Sequence, residues 1–222
     1  MADDDTKITS VTKKNMAIEE LKKAILTGEL EPGNPIREEK YSELLDVSRG
    51  TLRGALNSLE DQGFIDSFAN QGAFVTNLNK TKVQELYDLR KLLETHALQI
   101  GLENNCYDNL SIKKMQHAVQ KMGDYEEEEE FLNVIRSDIS FHDLLCSEVN
   151  HDLLSKLFNT LVTLSKLCMA RLKVNDLEII RDEAQHREIL DAIRTKDFSS
   201  AKDLLQSHLN DARDHLLEHI GK

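Results

Sequence analysis

VSRGTLRGALNSL, the run at residues 47–59, decides the fold of the N-terminal part of this chain. Ser48 can cap a helix there, because its hydroxyl can accept a backbone N–H of the first turn. Apolar residues then recur every three or four positions, which predicts one buried helix face, formed by Leu52, Ala55, Leu56 and Leu59. Arg49 and Arg53 lie on the opposite side near the helix N-terminus, where they have the geometry to reach guanine edges and phosphates in a DNA major groove. A basic pair on a helix is also common as a merely solvated face.

The sequence on either side predicts a winged helix-turn-helix. Residues 38–45 indicate a short helix, and the tight connector Asp46-Val47 gives the spacing of a helix-turn-helix. Residues 14–27 have the apolar periodicity of an amphipathic helix. Residues 64–68 and 72–76 have the composition of two short strands joined by a turn, which predicts a hairpin wing.

Residues 16–76 resemble the GntR-type winged-helix repressors. The likeness rests on AILTGELEPG at 24–33, IRE at 36–38, VSR at 47–49, LR at 52–53, AL at 55–56, LE at 59–60, GFI at 63–65 and GAFV at 72–75. Three positions depart from the pattern. Asp46 and Gly54 stand where the family usually has Gly and Glu, and Glu39 stands where some relatives have a further DNA-contacting arginine.

The resemblance implies that a homodimer binds double-stranded operator DNA, with recognition helices in successive major grooves of a pseudo-palindromic site. The residues predicted to contact DNA are Arg37, Ser48, Arg49, Thr51, Arg53, Gln71 and Gly72. The two helix arginines would read bases or hold phosphates, and the two hydroxyl residues would hold phosphates. The wing residues would touch the minor groove or the backbone.

Composition limits the other possibilities. A chain of 222 residues is expected to form two domains. Its net charge of −12 divides into −3 for residues 1–6, −2 for residues 7–78, which hold nine Lys/Arg and eleven Asp/Glu, and −7 for residues 79–222. Because phosphate neutralisation supplies most non-specific affinity for DNA, we expect weak and strongly salt-dependent non-specific binding.

The same composition predicts a cytoplasmic protein with no membrane partner. Three cysteines without a CxxC pair indicate a reducing compartment. The first residues lack the basic and apolar regions of a signal peptide, and no apolar run approaches membrane-spanning length. The predicted organisation is a flexible tail at 1–13, a DNA-binding domain at 14–76, a linker at 77–80 and a helical effector- and metal-binding domain at 81–222.

Beyond the linker, helical periodicity continues almost without interruption. Short connections between the helices predict antiparallel neighbours and therefore a helical bundle, with helices at about 80–104, 108–123, 126–149, 151–174, 176–195 and 198–219. The predicted fold class is therefore mainly α, with a winged helix-turn-helix of three helices plus a β-hairpin, followed by an all-α antiparallel bundle.

Polar residues on apolar faces mark a candidate metal site in the bundle. Asp138 and His142 lie one turn apart on an otherwise apolar face, where a charge is costly unless it is paired or bound to a metal. His186 and His208 occupy inward positions on the last two helices. These four residues can converge on a divalent transition metal, and zinc, nickel and manganese all suit such a set. His215, two turns beyond His208, is a rival for the fourth position, and any one of these histidines alone is more often a core residue.

Residues 80–219 resemble the FCD-type ligand-binding domain of one GntR subfamily. The matching pieces are LYDLRKLLE at 86–94, DISFH at 138–142, HREILDAI at 186–193, and Asp197, Ala201 and HL at 208–209. In that family the matching Asp and three His bind a metal at the base of an effector pocket. The resemblance therefore selects Asp138, His142, His186 and His208 as metal ligands, and zinc is the metal we expect first.

Arg90 is predicted to contact the effector. It is the only charged residue on the inward stripe 83, 86, 90, 93, 97 and 100, and an arginine fork matches a carboxylate. An internal pair with Glu94, one turn on, is the alternative. The resemblance favours a small organic acid, with one carboxylate on the metal and another near Arg90.

These features predict a transcriptional regulator, in particular a repressor, whose operator affinity changes when the organic acid binds. Such a switch requires that the effector bind the DNA-competent and incompetent arrangements with different affinity. The alternative is a metal-dependent hydrolase, in which an Asp-His₃ metal activates water. A third possibility is a dimerisation module with an empty pocket.

Overall fold

The structure, a computed structural model, describes residues 2–123, 131–170 and 183–220, without the side chains of residues 2–11 and 131. The chain forms two compact units, Met1–Asn77 and Leu78–Lys222. Parts of the helices predicted at 126–149, 151–174 and 176–195 lie outside the described residues.

The N-terminal unit is a winged helix-turn-helix. Its elements are α1 (Ala2–Leu26), β1 (Pro35–Ile36), α2 (Glu38–Leu44), α3 (Arg49–Asp61), β2 (Ile65–Phe68) and β3 (Gly72–Val75). Helix α3 begins as the sequence predicts, since the Ser48 hydroxyl accepts the backbone N–H of Thr51 at 3.0 Å. Asp46 in the turn before α3 has a φ of 49°, the left-handed conformation that aspartate tolerates better than most residues. The four apolar residues predicted for the α3 face are all buried: Leu52, Ala55, Leu56 and Leu59.

The unit differs from the sequence prediction at its start. Helix α1 begins at Ala2, inside the segment 1–13 that was predicted to be a flexible tail. Aspartates at positions 3–5 fall in the first turn, where the positive end of the helix dipole favours acidic residues. Lys13 also donates to the backbone carbonyl of Asp46 at 3.0 Å, which ties this part of α1 to the turn before α3.

The wing contains a strand that the sequence does not predict. Strand β1 pairs with β3 in antiparallel register, with Pro35 opposite Phe74 and Ile36 opposite Ala73, and β3 pairs with β2 on its other side. The sheet order is therefore β1-β3-β2 rather than a two-stranded hairpin. A strand of two residues is too short to show the alternation of apolar and polar residues, and the proline at its start is typical of a turn.

The C-terminal unit is a helical bundle. The described helices are α4 (Lys80–Glu103), α5 (Asn109–Gly123), α6 (Phe131–Ser147), α7 (Asp152–Met169), α8 (Glu183–Arg194) and α9 (Phe198–His219). Asn79 and Asp197 cap α4 and α9 by accepting N–H groups of their first turns. Helix α4 packs against α6, α7 and α9, and α8 packs against α9. This packing turns the inward faces of α4, α6, α8 and α9 toward one another. Among the described helices, none combines the length and the apolar character needed to cross a lipid bilayer.

Candidate metal centre and DNA-binding surface

Four side chains from three helices meet in the interior of the bundle. Asp138 and His142 come from α6, His186 from α8 and His208 from α9, and none is more than 4% exposed. One ligand atom from each residue lies within 4.8 Å of all the others. The structure thus brings together the four residues that the sequence selects for a metal. His215, the rival for the fourth position, is not part of this cluster.

The spacing of the ligand atoms suits a small cation. His142 Nε2 lies 3.3 Å from His208 Nε2 and 3.4 Å from His186 Nε2, and His186 Nε2 lies 3.3 Å from Asp138 Oδ1. Donors bound at the usual zinc distance in a tetrahedral site are roughly 3.4 Å apart. The distance from His142 Nε2 to Asp138 Oδ1 is longer, at 3.9 Å.

Groups outside the cluster fix which ring nitrogens face its centre. Glu94 Oε2 lies 2.6 Å from His142 Nδ1, and Gln185 Oε1 lies 3.0 Å from His208 Nδ1. Both oxygens are acceptors, so in the neutral form of each ring the proton is on Nδ1 and the lone pair is on Nε2. Two imidazole lone pairs therefore face one another across 3.3 Å. This arrangement is repulsive unless a cation lies between them, and so the donor set fits a divalent transition metal.

Asp138 adds a second sign that the cluster fits a cation. Its Oδ2 atom is buried and has no hydrogen-bond partner among the described residues. A buried carboxylate oxygen without a donor is costly, and a bound metal ion offsets that cost. Burial raises the pKa of Asp138, but the hydrogen bond with His186 and the three neighbouring imidazoles outweigh burial, so the net pKa is lowered. The carboxylate is therefore ionised, as a metal ligand must be.

Electrostatics also keeps His208 in the form that binds metals. Burial and the neighbouring His186 and His142 lower the pKa of His208 well below its ordinary value. A neutral imidazole results, and a neutral imidazole is the ligand that a transition metal requires.

Helix α4 contributes a buried ion pair beside the cluster. Arg90 Nε donates to Glu94 Oε1 at 2.7 Å, and the other oxygen of Glu94 holds His142. Burial raises the pKa of Glu94, but Arg90 and His142 together lower it below its usual value. The alternative considered for Arg90, an internal pair with Glu94, is thus present in the structure.

The predicted α4 stripe needs a correction at this point. Arg90 is not the only charged residue facing inward, because Glu94 is completely buried, whereas Leu93 and Ile100 are only partly buried. Helix α4 buries a wider face than a single stripe, since it packs against three neighbours. The contact of Glu94 with His142 was not foreseen; the position of Glu94 one turn after Arg90 was the available signal.

The ion pair with Glu94 does not satisfy all the hydrogen-bond donors of Arg90. Its Nη2 atom and the hydroxyl of Tyr87 are both buried without a hydrogen-bond partner among the described residues. The guanidinium carbon lies 5.2 Å from the centre of the Tyr87 ring, so the two groups are neighbours. Helix α4 therefore holds two buried hydrogen-bond donors for which the described part of the chain has no acceptor.

The residues predicted to contact DNA all lie in the N-terminal unit. Arg49 and Arg53 project from α3 with their side chains 64% and 67% exposed. Ser48 and Thr51 share a hydroxyl–hydroxyl hydrogen bond of 2.8 Å at the start of the same helix. The remaining three are exposed, with Arg37 just before α2 and the other two at the wing tip, Gln71 and Gly72.

Both recognition-helix arginines make ion pairs that the sequence reasoning did not foresee. Arg49 Nη2 donates to Glu39 Oε1 at 2.6 Å, and Arg53 Nε donates to Glu38 Oε2 at 2.7 Å. Helix α2 brings these two consecutive glutamates against α3. Because the pairs depend on how two helices pack, the available signal was only the nearness of acidic and basic residues across the turn.

The winged helix-turn-helix and the helical domain that follows it together indicate a DNA-binding transcriptional regulator. Residues 13–75 match the model for bacterial regulatory proteins of the gntR family, and residues 85–211 match the FCD domain. The chain belongs to the GntR family and carries its FCD domain. The members found here are regulators of transcription and not enzymes, so the hydrolase alternative is set aside.

Individual relatives agree with this assignment. The chain is 29% identical over 206 residues to the gluconate operon transcriptional repressor of Bacillus subtilis, covering 88% of this chain and 81% of that protein. It is 27% identical over 199 residues to the uncharacterised regulator YdhC of the same organism, covering 89% of this chain and 88% of YdhC.

Solved structures share the fold. A putative GntR regulator from Rhodococcus sp. RHA1 has a TM-score of 0.73 at 24% identity, covering 93% of this chain and 98% of that one. McbR/YncC of E. coli has a TM-score of 0.71 at 18% identity, covering 93% of this chain and 97% of that one. At these identities the likeness concerns the fold alone.

Proposed function

We propose that this regulator is a repressor that binds a pseudo-palindromic operator as a homodimer, and that a small organic acid releases it by binding beside a metal in the FCD domain. The observation that carries the proposal is the pair of facing imidazole lone pairs next to a buried carboxylate, with unsatisfied donors on α4 close by. The metal would be held by Asp138, His142, His186 and His208. When bound, it would supply positive charge that attracts one carboxylate of the effector.

The protein groups on α4 would recognise the other part of the effector. Arg90 Nη2 and the Tyr87 hydroxyl are buried donors, and a carboxylate is the acceptor that an arginine binds most strongly. Gluconate, which names the operon of one relative, is a small organic acid with a single carboxylate, which would lie on the metal, and its hydroxyl oxygens can accept hydrogen bonds from the donors on α4. The effector must bind the operator-free arrangement more tightly than the DNA-bound one, because otherwise it shifts no equilibrium.

The metal assignment can be tested by exchanging one histidine of the cluster and one outside it. Protein purified without a histidine tag or chelator is expected to contain one zinc, nickel or manganese ion per chain by elemental analysis. His208→Ala is expected to lose most of this metal, because it removes one of four ligands. A metal present at about 100 times its dissociation constant adds ~2.7 kcal/mol of stability, so chelation should lower the wild-type Tm by roughly 5–10 °C.

His215→Ala is the matched control on the same helix. It is expected to keep its metal and to respond to a chelator as the wild type does. Equal loss of metal from the His208 and His215 variants would contradict the assignment.

The effector assignment can be tested with a single hydroxyl group. In a thermal-shift screen of hydroxy acids that starts with gluconate, at least one acid is expected to stabilise the wild type. Tyr87→Phe is expected to bind that acid about ten- to a hundredfold more weakly, since a hydrogen bond to a charged group contributes ~1.5–3 kcal/mol. The ring remains, so the packing of α4 is preserved.

Tyr41→Phe, which removes a hydroxyl from the DNA-binding unit, serves as the control and should bind the acid as the wild type does. Unchanged affinity of the Tyr87 variant, measured by calorimetry, would remove Tyr87 from the effector site.

A further inference from the structure

The two arginines of the recognition helix are held by two adjacent carboxylates. Arg49 and Arg53 lie one turn apart on α3, and Glu39 and Glu38 reach them from the first turn of α2. The donor–acceptor distances are 2.6 and 2.7 Å, the short distances of charge-assisted hydrogen bonds. Both arginines stay more than half exposed, so the pairs lie on the surface of the unit.

The contacts leave the arginines able to bind DNA. Glu38 uses the Nε atom of Arg53, and no further ion pair to this arginine occurs among the described residues. Its two terminal amino groups therefore remain available, and they form the edge that can donate two parallel hydrogen bonds to O6 and N7 of guanine. Glu39 uses one terminal amino group of Arg49 and leaves the others. The carboxylates hold the guanidiniums without covering them.

A held arginine differs from a free one in two ways. A free arginine on an exposed helix samples many rotamers, and it can contact any phosphate within its reach. A held arginine has lost part of that freedom before DNA arrives, which lowers the entropic cost of a contact in the fixed geometry. The carboxylate also cancels much of the positive charge, and charge is what supplies non-specific attraction to DNA.

We propose that Glu38 and Glu39 are positioning residues that determine DNA specificity. They fix the orientation of Arg53 and Arg49 for base reading and suppress the sequence-independent attraction of both arginines to phosphates. A duplex with guanines in the right places gains from the fixed geometry, whereas other duplexes meet only the added negative charge. The proposal rests on the assignment of Arg49 and Arg53 as DNA contacts.

The expected size of the effect follows from the exposure of the pairs. An exposed ion pair changes an equilibrium by a factor of roughly two to five. In a homodimer each substitution occurs twice, so the ratio of operator affinity to non-specific affinity should change by roughly 4- to 25-fold. Such a change is measurable with ordinary binding assays.

The test compares three glutamates of α2. Glu38→Gln and Glu39→Gln keep the size of the side chain but remove its charge. Glu43→Gln removes the same charge from the same helix, at an exposed residue that has no ion pair in the described part of the chain. The operator is a 30-base-pair duplex selected from a random library by the wild-type protein, and the non-specific probe is a shuffled duplex of equal length. Affinities are measured by fluorescence anisotropy at two salt concentrations.

The Glu38 and Glu39 variants are expected to lower the ratio of operator to shuffled affinity by about 4- to 25-fold, mainly through tighter binding to the shuffled duplex. The Glu43 variant should strengthen both affinities by a similar factor and leave the ratio unchanged. If the Glu38 and Glu39 variants match the Glu43 variant, the proposal is wrong. It is also wrong if both duplexes bind more weakly and the unfolding midpoint falls, because that result indicates a purely structural role.

One further variant separates this inference from the proposed DNA contact. Arg53→Ala in the same assay is expected to weaken operator binding. If it does so while Glu38→Gln keeps the wild-type ratio, only the positioning role fails. If Arg53→Ala binds the operator as the wild type does, the DNA contact itself fails, and the positioning role fails with it.

Discussion

Replacing Glu94 with alanine is expected to lower the free energy of unfolding of the C-terminal unit by about 3–5 kcal/mol. Glu94 is completely buried and bridges Arg90 and His142 with its two oxygens. Its removal leaves the Arg90 guanidinium buried without a counter-charge, and that is the main cost. The pKa of Glu94 is lowered in the folded protein, so its carboxylate is charged at neutral pH and the full cost applies there.

The same substitution should weaken metal binding by about 10- to 100-fold, because the carboxylate orients the His142 ring. The two effects can be measured separately. Denaturant unfolding in the presence of a chelator gives the loss of stability, and metal titration gives the loss of metal affinity. Glu85→Ala, on the exposed side of α4, is the matched control and should alter neither quantity. The role given to this ion pair is contradicted if the free energy of unfolding of the Glu94 variant differs from that of the wild type by less than about 1 kcal/mol. That difference is well below the expected loss of roughly 3–5 kcal/mol.

A double variant tests whether the uncompensated charge is the cause. Arg90→Met combined with Glu94→Gln removes both charges and keeps most of the volume. Replacing a whole buried ion pair by groups of similar size is often neutral. The double variant should therefore be more stable than Glu94→Ala alone. Equal destabilisation of the two proteins would mean that lost packing, rather than lost charge compensation, determines the effect.

The elements that local physics determines follow from the sequence alone. The Ser48 cap and the apolar spacing after it fix the start and the buried face of α3, because both act within one helix. The convergence of Asp138, His142 and His186 is also readable, since a polar residue on an apolar helix face is expected to point into the bundle. Because buried charges must be compensated, such residues indicate that helices far apart in the sequence meet at one place. The same reasoning left His215 open beside His208, and the resemblance to the FCD domain selected His208.

The features that sequence reasoning did not reach depend on packing between elements. Strand β1 exists because β3 offers it an edge, and two residues carry no periodicity of their own. Glu94 is buried because α4 meets three neighbouring helices and so has an inward face wider than a single stripe. The pairs of Arg49 with Glu39 and of Arg53 with Glu38 arise where α2 packs against α3. Exposed ion pairs between two helices leave no periodic pattern in the amino-acid sequence.

Replacing both Arg49 and Arg53 with alanine is expected to cost about 2–6 kcal/mol of operator binding per protomer, since one base-reading arginine contributes ~1–3 kcal/mol. The single variants divide this cost between the two positions. Because each arginine pairs with its own glutamate, the two losses are expected to be roughly additive. The matched control is Arg194→Ala, which removes an exposed arginine from the C-terminal unit and should leave operator affinity unchanged.

The salt dependence of binding decides what each arginine does on the DNA. A residue that reads a guanine should lose affinity only for operators that carry the guanine, with little change in the slope of affinity against salt. A residue that binds a phosphate should lose affinity for every duplex and reduce that slope by about one. Arg53 has its terminal amino groups outside its ion pair, so it is expected to follow the first pattern. If the Arg49 and Arg53 variants both keep operator and shuffled affinities within twofold of the wild type, a change well below the expected ~1–3 kcal/mol, α3 is not the recognition helix of this regulator.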